Sequence, residues 1–152
     1  MKDVDSIESI LDFAISEEEA ANRFYKDLAR QMEEDRMKEV FEDFAAEELG
    51  HKAKLQDIRE NPQAIQFDEE RIPDLGIADY AVVRAPDAKM NYQDALLLAM
   101  KKEKASYRLY IDLASVAQSE DLTNTFLWLA QEEAKHKLRF EIEYDDFILG
   151  ED

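Results

Sequence analysis

Both histidines of the chain belong to one short pattern, Glu-x-x-His, which occurs as Glu48 with His51 and again as Glu133 with His136. Side chains three residues apart lie on one face of an α-helix, one turn from each other. A carboxylate and an imidazole placed in this way can bind a metal ion together. The chain contains no cysteine, which excludes disulfides, thiol nucleophiles, iron–sulfur clusters and thiolate-bound zinc within it. His-Glu-x-x-His, the pattern of zinc metalloproteases, is also missing.

Four segments have apolar residues at helical spacing, and each is interrupted by polar residues in the middle of its apolar stripe. The interruption is Glu18 in the first segment, Glu103 in the third, and a Glu-x-x-His pair in the second and fourth. A connection at 61–90 contains all three prolines and is too long for a hairpin turn. We predict one all-α domain over 1–152, a four-helix bundle with a crossover. The predicted helices span about 5–32, 34–60, 91–118 and 119–149.

The two halves of the chain repeat each other at an offset of 85 residues. At this offset Glu18 coincides with Glu103, Tyr25 coincides with Tyr110, and the two Glu-x-x-His pairs coincide as well. A shared offset in both helix pairs indicates the duplication of a helical hairpin. We therefore predict two duplicated hairpins, with the crossover returning the chain so that the second and third helices run parallel.

Lys and Arg number 19 against 37 Asp and Glu, which gives a net charge of −18. Nucleic acid and anionic membranes repel such a chain, so we expect neither as a partner. No apolar run of about 18 residues occurs, and the acidic start lacks the basic flank of a signal peptide. The expected location is the cytoplasm.

Four glutamates on a buried seam need a partner. Burying one ionised carboxylate alone costs several kcal/mol, whereas the net stability of a domain is only about 5–15 kcal/mol. Two divalent cations would balance four carboxylates, with one neutral histidine for each; such ligands favour Fe, with Mn or Zn as alternatives. Glu18 and Glu103 could instead face solvent, but turning Glu18 outward would also turn outward the apolar residues of its stripe, such as Leu11 and Tyr25. The layer could also be a metal-free network of protonated acids.

Five further residues lie near the seam. Tyr25 and Tyr110 follow the seam glutamates of their own helices by seven residues, or two helical turns. They are either hydrogen-bonded core tyrosines or donors and one-electron relays beside the metal ligands. Trp128 is predicted to serve packing. Glu47 and Glu132 are predicted to be surface acids, with contact to the ligands as the alternative.

The chain resembles the ferritin-like di-iron superfamily, and in particular its rubrerythrin-like branch, through four strings: AISEEEAANRFYKDLA (14–29), EELGHKAKL (47–55), AMKKEKASYRLYIDLA (99–114) and EEAKHKLRF (132–140). The resemblance implies a ferritin-like bundle in which Glu48 and Glu133 bridge two irons. It implies six iron ligands: Glu18, Glu48, His51, Glu103, Glu133 and His136. Two departures are the missing cysteines of a rubredoxin-like iron site and the residues Met100 and Ser106, where the branch has an extra carboxylate near Glu103.

The leading hypothesis is a non-haem di-iron oxidoreductase that reacts with peroxide or dioxygen and takes electrons from a separate donor protein. The alternatives are a ferroxidase or iron-handling protein and a non-enzymatic bundle stabilised by its metals. We expect a homodimer, because pairing of bundles is common in the resembling family. The sequence leaves open whether the crossover is exchanged between subunits or packs along its own bundle through its apolar residues, Ile72, Leu75, Ile77, Tyr80, Val82 and Val83.

Overall fold

The computed structural model describes residues 6–61, 66–71, 80 and 90–150. Four helices account for most of them: α1 (Ile7–Gln31), α2 (Asp35–Arg59), α3 (Tyr92–Val116) and α4 (Glu120–Leu149). Each helix begins one or two residues inside its predicted limit. The predicted all-α, four-helix class is confirmed. Within the described part of the chain, no helix is long and apolar enough to cross a lipid bilayer.

Side-chain caps fix the starts of three helices. Ser6, Asn91 and Ser119 each accept a hydrogen bond from the backbone amide three residues on, at 3.1, 2.8 and 3.2 Å. Each cap satisfies an amide that the helix leaves free and contributes about 1 kcal/mol. Glu34 at the start of α2 makes no such bond.

Two apolar clusters fill the two ends of the bundle. The upper cluster joins the beginnings of α1 and α4 to the ends of α2 and α3, with Leu11, Leu55, Leu113 and Phe126 at its centre. The lower cluster joins the other four helix ends around Tyr25, Phe41, Leu96 and Phe140. Since α2 and α3 both end in the upper cluster, they run parallel, as predicted. Helix–helix contact is concentrated within the hairpins α1–α2 and α3–α4.

The described part of the crossover packs along its own bundle. Phe67 is buried in the upper cluster and forms an antiparallel bridge with Ala117, in the turn between α3 and α4. Tyr80 is buried in the same cluster, and its hydroxyl donates a hydrogen bond to the Asp112 carboxylate. The other apolar crossover residues named above, Ile72, Leu75, Ile77, Val82 and Val83, lie outside the described residues.

Candidate metal centre

A polar layer separates the two apolar clusters at mid-height in the bundle. It consists of the six residues singled out by the sequence, none of them more than 3% exposed: Glu18, Glu48, His51, Glu103, Glu133 and His136. Helices α1 and α3 contribute one glutamate each, and α2 and α4 each contribute a Glu-x-x-His pair. Glu18 and Glu103 lie on the buried seam as predicted, and the alternative in which they face solvent is wrong, because both are 1% exposed.

The layer divides into two overlapping sets of four residues. In each set, one nitrogen or oxygen atom from every residue lies within 4.8 Å of those from the others. One set is Glu18, Glu48, His51 and Glu133, and the other is Glu48, Glu103, Glu133 and His136. Glu48 and Glu133 belong to both sets, which is the place that a bridging carboxylate would occupy. The structure thus brings together all six candidate ligands.

The atoms that face one another in this layer are not satisfied by hydrogen bonds. Within the described residues, the buried side-chain atoms without a hydrogen-bond partner all belong to these six residues: Glu18 Oε2, Glu48 Oε1, His51 Nδ1, Glu103 Oε2, both carboxylate oxygens of Glu133, and His136 Nδ1. Nδ1 of His51 is 2.7 Å from Glu133 Oε1, yet the two are not aligned as donor and acceptor. Buried polar groups are normally paired. Hard oxygens and imidazole nitrogens left open in this way fit divalent cations.

The metal-free layer binds protons strongly. Burial and the neighbouring glutamates raise the pKa of Glu48 and of Glu133 well above the usual range for a carboxyl. Burial alone would lower the pKa of His51, but the carboxylates of Glu133 and Glu18 outweigh it and raise that pKa to about 10. The pKa of His136 is also raised, because Glu103 and Glu47 outweigh its burial. Protons therefore occupy the layer when cations do not.

We expect the free energy of unfolding of the metal-free protein to fall as pH rises from about 6.5 to 9. A group whose pKa is raised on folding stabilises the protein below its unfolded pKa and loses that contribution as pH passes its folded value. For His51 these limits are 6.5 and about 10. Glu103, whose pKa is lowered, acts in the opposite sense only below its usual value of 4.5.

Urea unfolding in chelator across this range measures the effect, for which we expect about 1–3 kcal/mol. His51→Leu, which removes a group whose pKa shift spans this range, should give a flatter profile. A stability that rises with pH would contradict the assignment of protons to the layer.

Two buried tyrosines donate to the layer from opposite ends. The Tyr25 hydroxyl, from the lower cluster, hydrogen-bonds Glu103, and the Tyr110 hydroxyl, from the upper cluster, hydrogen-bonds Glu18. Burial, and next the charge of the bonded glutamate, raises the pKa of each phenol well above 10. Both phenols therefore stay protonated and hold one oxygen of a candidate ligand in place. The predicted hydrogen bond is present, and it joins each tyrosine to the glutamate of the other hairpin.

The two histidines differ in the residues that contact their rings from outside the polar layer. Glu47 Oε2 is 2.8 Å from Nε2 of His136, so this partly exposed acid contacts a candidate ligand, the alternative raised above for it. Glu132 instead pairs with Lys135 at 3.0 Å. Trp128, predicted to serve packing, stands edge-on to His51 with 5.6 Å between ring centroids, and it is 42% exposed.

A protein-family model described as Rubrerythrin matches residues 9–144, which include both hairpins and the whole polar layer. The chain belongs to the rubrerythrin family. The resemblance seen in the four sequence strings is thereby confirmed. This rubrerythrin-family chain is similar to a solved structure described as a hypothetical protein from Pyrococcus furiosus, with 25% identity, a TM-score of 0.70, and coverage of 94% of this chain and 90% of the other. No curated protein sequence matches it significantly.

Proposed function

We propose that this protein is a non-haem di-iron oxidoreductase whose substrate is hydrogen peroxide, with dioxygen as the alternative oxidant. The observation that carries the proposal is the pair of overlapping four-residue sets, in which buried oxygens and nitrogens have no hydrogen-bond partners. Two divalent ions would balance the four carboxylates and leave one neutral imidazole for each ion. We propose iron as the metal. Mn suits the same ligands, whereas Zn would bind but would supply no redox chemistry.

The six residues of the polar layer would hold two ferrous ions, which would supply the two electrons that, with two protons, reduce one hydrogen peroxide to two molecules of water. The chain's own residues prepare this reaction. Glu48 and Glu133 place carboxylates in both sets, where their negative charge offsets the positive charge gained on oxidation. Tyr25 and Tyr110 keep protons on their hydroxyl oxygens, directly beside Glu103 and Glu18.

Electrons must return to the centre from elsewhere. The 152 residues contain no cysteine that could hold a rubredoxin-like or iron–sulfur centre. We therefore assign this step to a separate redox protein. A homodimer in the cytoplasm, without nucleic-acid or membrane partners, remains our expectation for the native state.

Iron handling is the second candidate, favoured by the net charge of −18, which attracts Fe²⁺ electrostatically. In this case Fe²⁺ would be the substrate, dioxygen or hydrogen peroxide would accept its electron, and the iron would leave the centre as Fe³⁺. Sizing and iron loading separate the two functions. A dimer that retains about two irons per chain after repeated additions of Fe²⁺ supports the peroxide reaction, whereas continued uptake supports storage or delivery.

Anaerobically reduced, iron-loaded protein is expected to consume hydrogen peroxide, and Glu103→Ala is expected to lower the rate at least about 100-fold. Mutation of a group that only supports a metal ligand typically lowers metal affinity or activity by about 10–100-fold, and Glu103 is a candidate ligand itself. A stopped-flow optical assay with metal analysis of each variant measures both rate and occupancy. Glu33→Ala, at an exposed acid, is the control and should react normally. An unchanged rate of peroxide consumption in Glu103→Ala would contradict the proposal.

A further inference from the structure

We infer that the two metal positions are unequal, and that Glu47 makes the position containing His136 the tighter one by holding that imidazole in place. The inference rests on the proposed function, since it concerns the same centre. It adds a positioning residue that lies outside the six candidate ligands, and it gives an order in which the two positions fill.

The geometry at His136 fixes both ring nitrogens. Nδ1 faces the layer, 3.3 Å from Glu48 Oε1 and 3.6 Å from Glu103 Oε1, while Nε2 is 2.8 Å from Glu47 Oε2. A carboxylate accepts and cannot donate, so in the neutral imidazole that binds a metal the bond to Glu47 keeps the proton on Nε2 and leaves the Nδ1 lone pair for the ion. The Phe44 ring, stacked on the imidazole with 4.1 Å between centroids, fixes its plane.

The surroundings of His51 differ. Its Nδ1 also faces the layer, 3.2 Å from Glu48 Oε1, but the residue beside its ring is Trp128, a neutral indole. Lys54 lies over that indole, 5.1 Å from the ring centroid. No acid among the described residues hydrogen-bonds its Nε2. A carboxylate behind an imidazole raises its basicity as a ligand, and an indole does not.

The repeat explains why the two halves diverge. Glu47 and Glu132 are equivalent at the offset of 85, and so are Gly50 and Lys135. Lys135, one turn after Glu132, pairs with the Glu132 carboxylate at 3.0 Å, and among the described residues Glu132 makes no hydrogen bond to His51. Gly50 provides no such cation, so Glu47 is free to reach across to α4. A side chain at Gly50 would meet no atom within 4 Å, so the glycine is not required by lack of space.

Anaerobic calorimetric titration with Fe²⁺ tests the inference. The unmodified chain should bind two Fe²⁺ in two steps of different affinity. Glu47→Ala should weaken the tighter step about tenfold, the lower end of the range for such supporting groups, because the Glu47 side chain is 46% exposed. Glu47→Gln, which keeps an acceptor but loses the charge, should give a smaller loss, and the matched control Glu132→Ala should change neither step.

Gly50→Lys provides an independent route to the same result. The new lysine should pair with Glu47 as Lys135 pairs with Glu132, and so weaken the tighter step without altering any ligand. Circular dichroism checks that the fold is unchanged.

Equal affinities in the unmodified chain, or equal losses in Glu47→Ala and Glu132→Ala, would overturn the inference while leaving an active di-iron protein intact. Failure of the unmodified chain to bind Fe²⁺ would overturn the inference and the proposed function together.

Discussion

Replacing Glu48 and Glu133 together with leucine is expected to abolish metal binding and to raise the free energy of unfolding of the metal-free protein by about 1–4 kcal/mol. Buried ionic groups exchanged for apolar groups of similar size commonly give a gain of this order. The two glutamates are at most 1% exposed and have raised pKa values, which shows that their charged forms are disfavoured in the apo layer. Leucine removes that penalty together with the bridging oxygens.

The residues that remain in this double variant still have partners. Glu18 keeps its hydrogen bond from Tyr110 and lies 3.6 Å from His51 Nδ1. The equivalent contacts hold Glu103 in the other half. Urea unfolding in chelator gives the stability, and elemental analysis gives the metal content. Glu33→Leu is the surface control. A double variant less stable than the unmodified chain in chelator would show that the four glutamates support the fold without metal.

Removal of metal is the second large effect: a chelator is expected to lower the melting temperature of the loaded protein by about 8–16 °C. Free metal at about 1,000 times its dissociation constant stabilises the folded state by about 4 kcal/mol for one site. For a chain of this length each kcal/mol shifts the melting temperature by about 2–4 °C. The layer is present only in the folded protein, so binding energy becomes folding energy.

Anaerobic melting of the Fe²⁺-loaded protein with and without chelator measures this shift. The leucine double variant is the matched control and should melt at the same temperature in both conditions. If the unmodified chain also shows no shift, the layer is a metal-free network of protonated acids, the alternative left open by the sequence.

The helices and the six candidate ligands could be predicted from the sequence because the duplication presents each feature twice, once in each half of the chain. Glu18 interrupts an apolar stripe on α1, and Glu103 interrupts the equivalent stripe on α3. A single glutamate in an apolar stripe could have faced solvent. Glu18 and Glu103 instead follow Leu11 and Leu96 at the same spacing in both halves, which indicates that both glutamates lie on the buried face.

The sequence did not predict which glutamate each tyrosine bonds. That choice depends on the directions of the helices, and the spacing of apolar residues does not give those directions. Side chains lean toward the N-terminus of their own helix. Because α1 and α3 run in opposite directions, Glu18 leans toward the upper cluster, where Tyr110 leans back to meet it. Tyr25 and Glu103 meet in the same way at the lower side.

Glu47 and Trp128 show a second limit. Their sequence positions beside the stripe suggested a surface acid and a packing residue, but their contacts depend on how α2 and α4 face each other. The one available signal was the loss of symmetry at Gly50 and Lys135. Such a difference between otherwise matching halves indicates where the two halves have taken separate roles.

The crossed partners of the polar layer also have a mechanical consequence. Each set of candidate ligands contains residues from both hairpins, and each tyrosine bond joins one hairpin to the other. Direct helix contact, by contrast, is concentrated inside each hairpin. The layer therefore adds polar links between the two hairpins to the apolar contacts that both clusters already make between them. The chemistry of the centre and part of the contact between the hairpins therefore depend on the same few side chains.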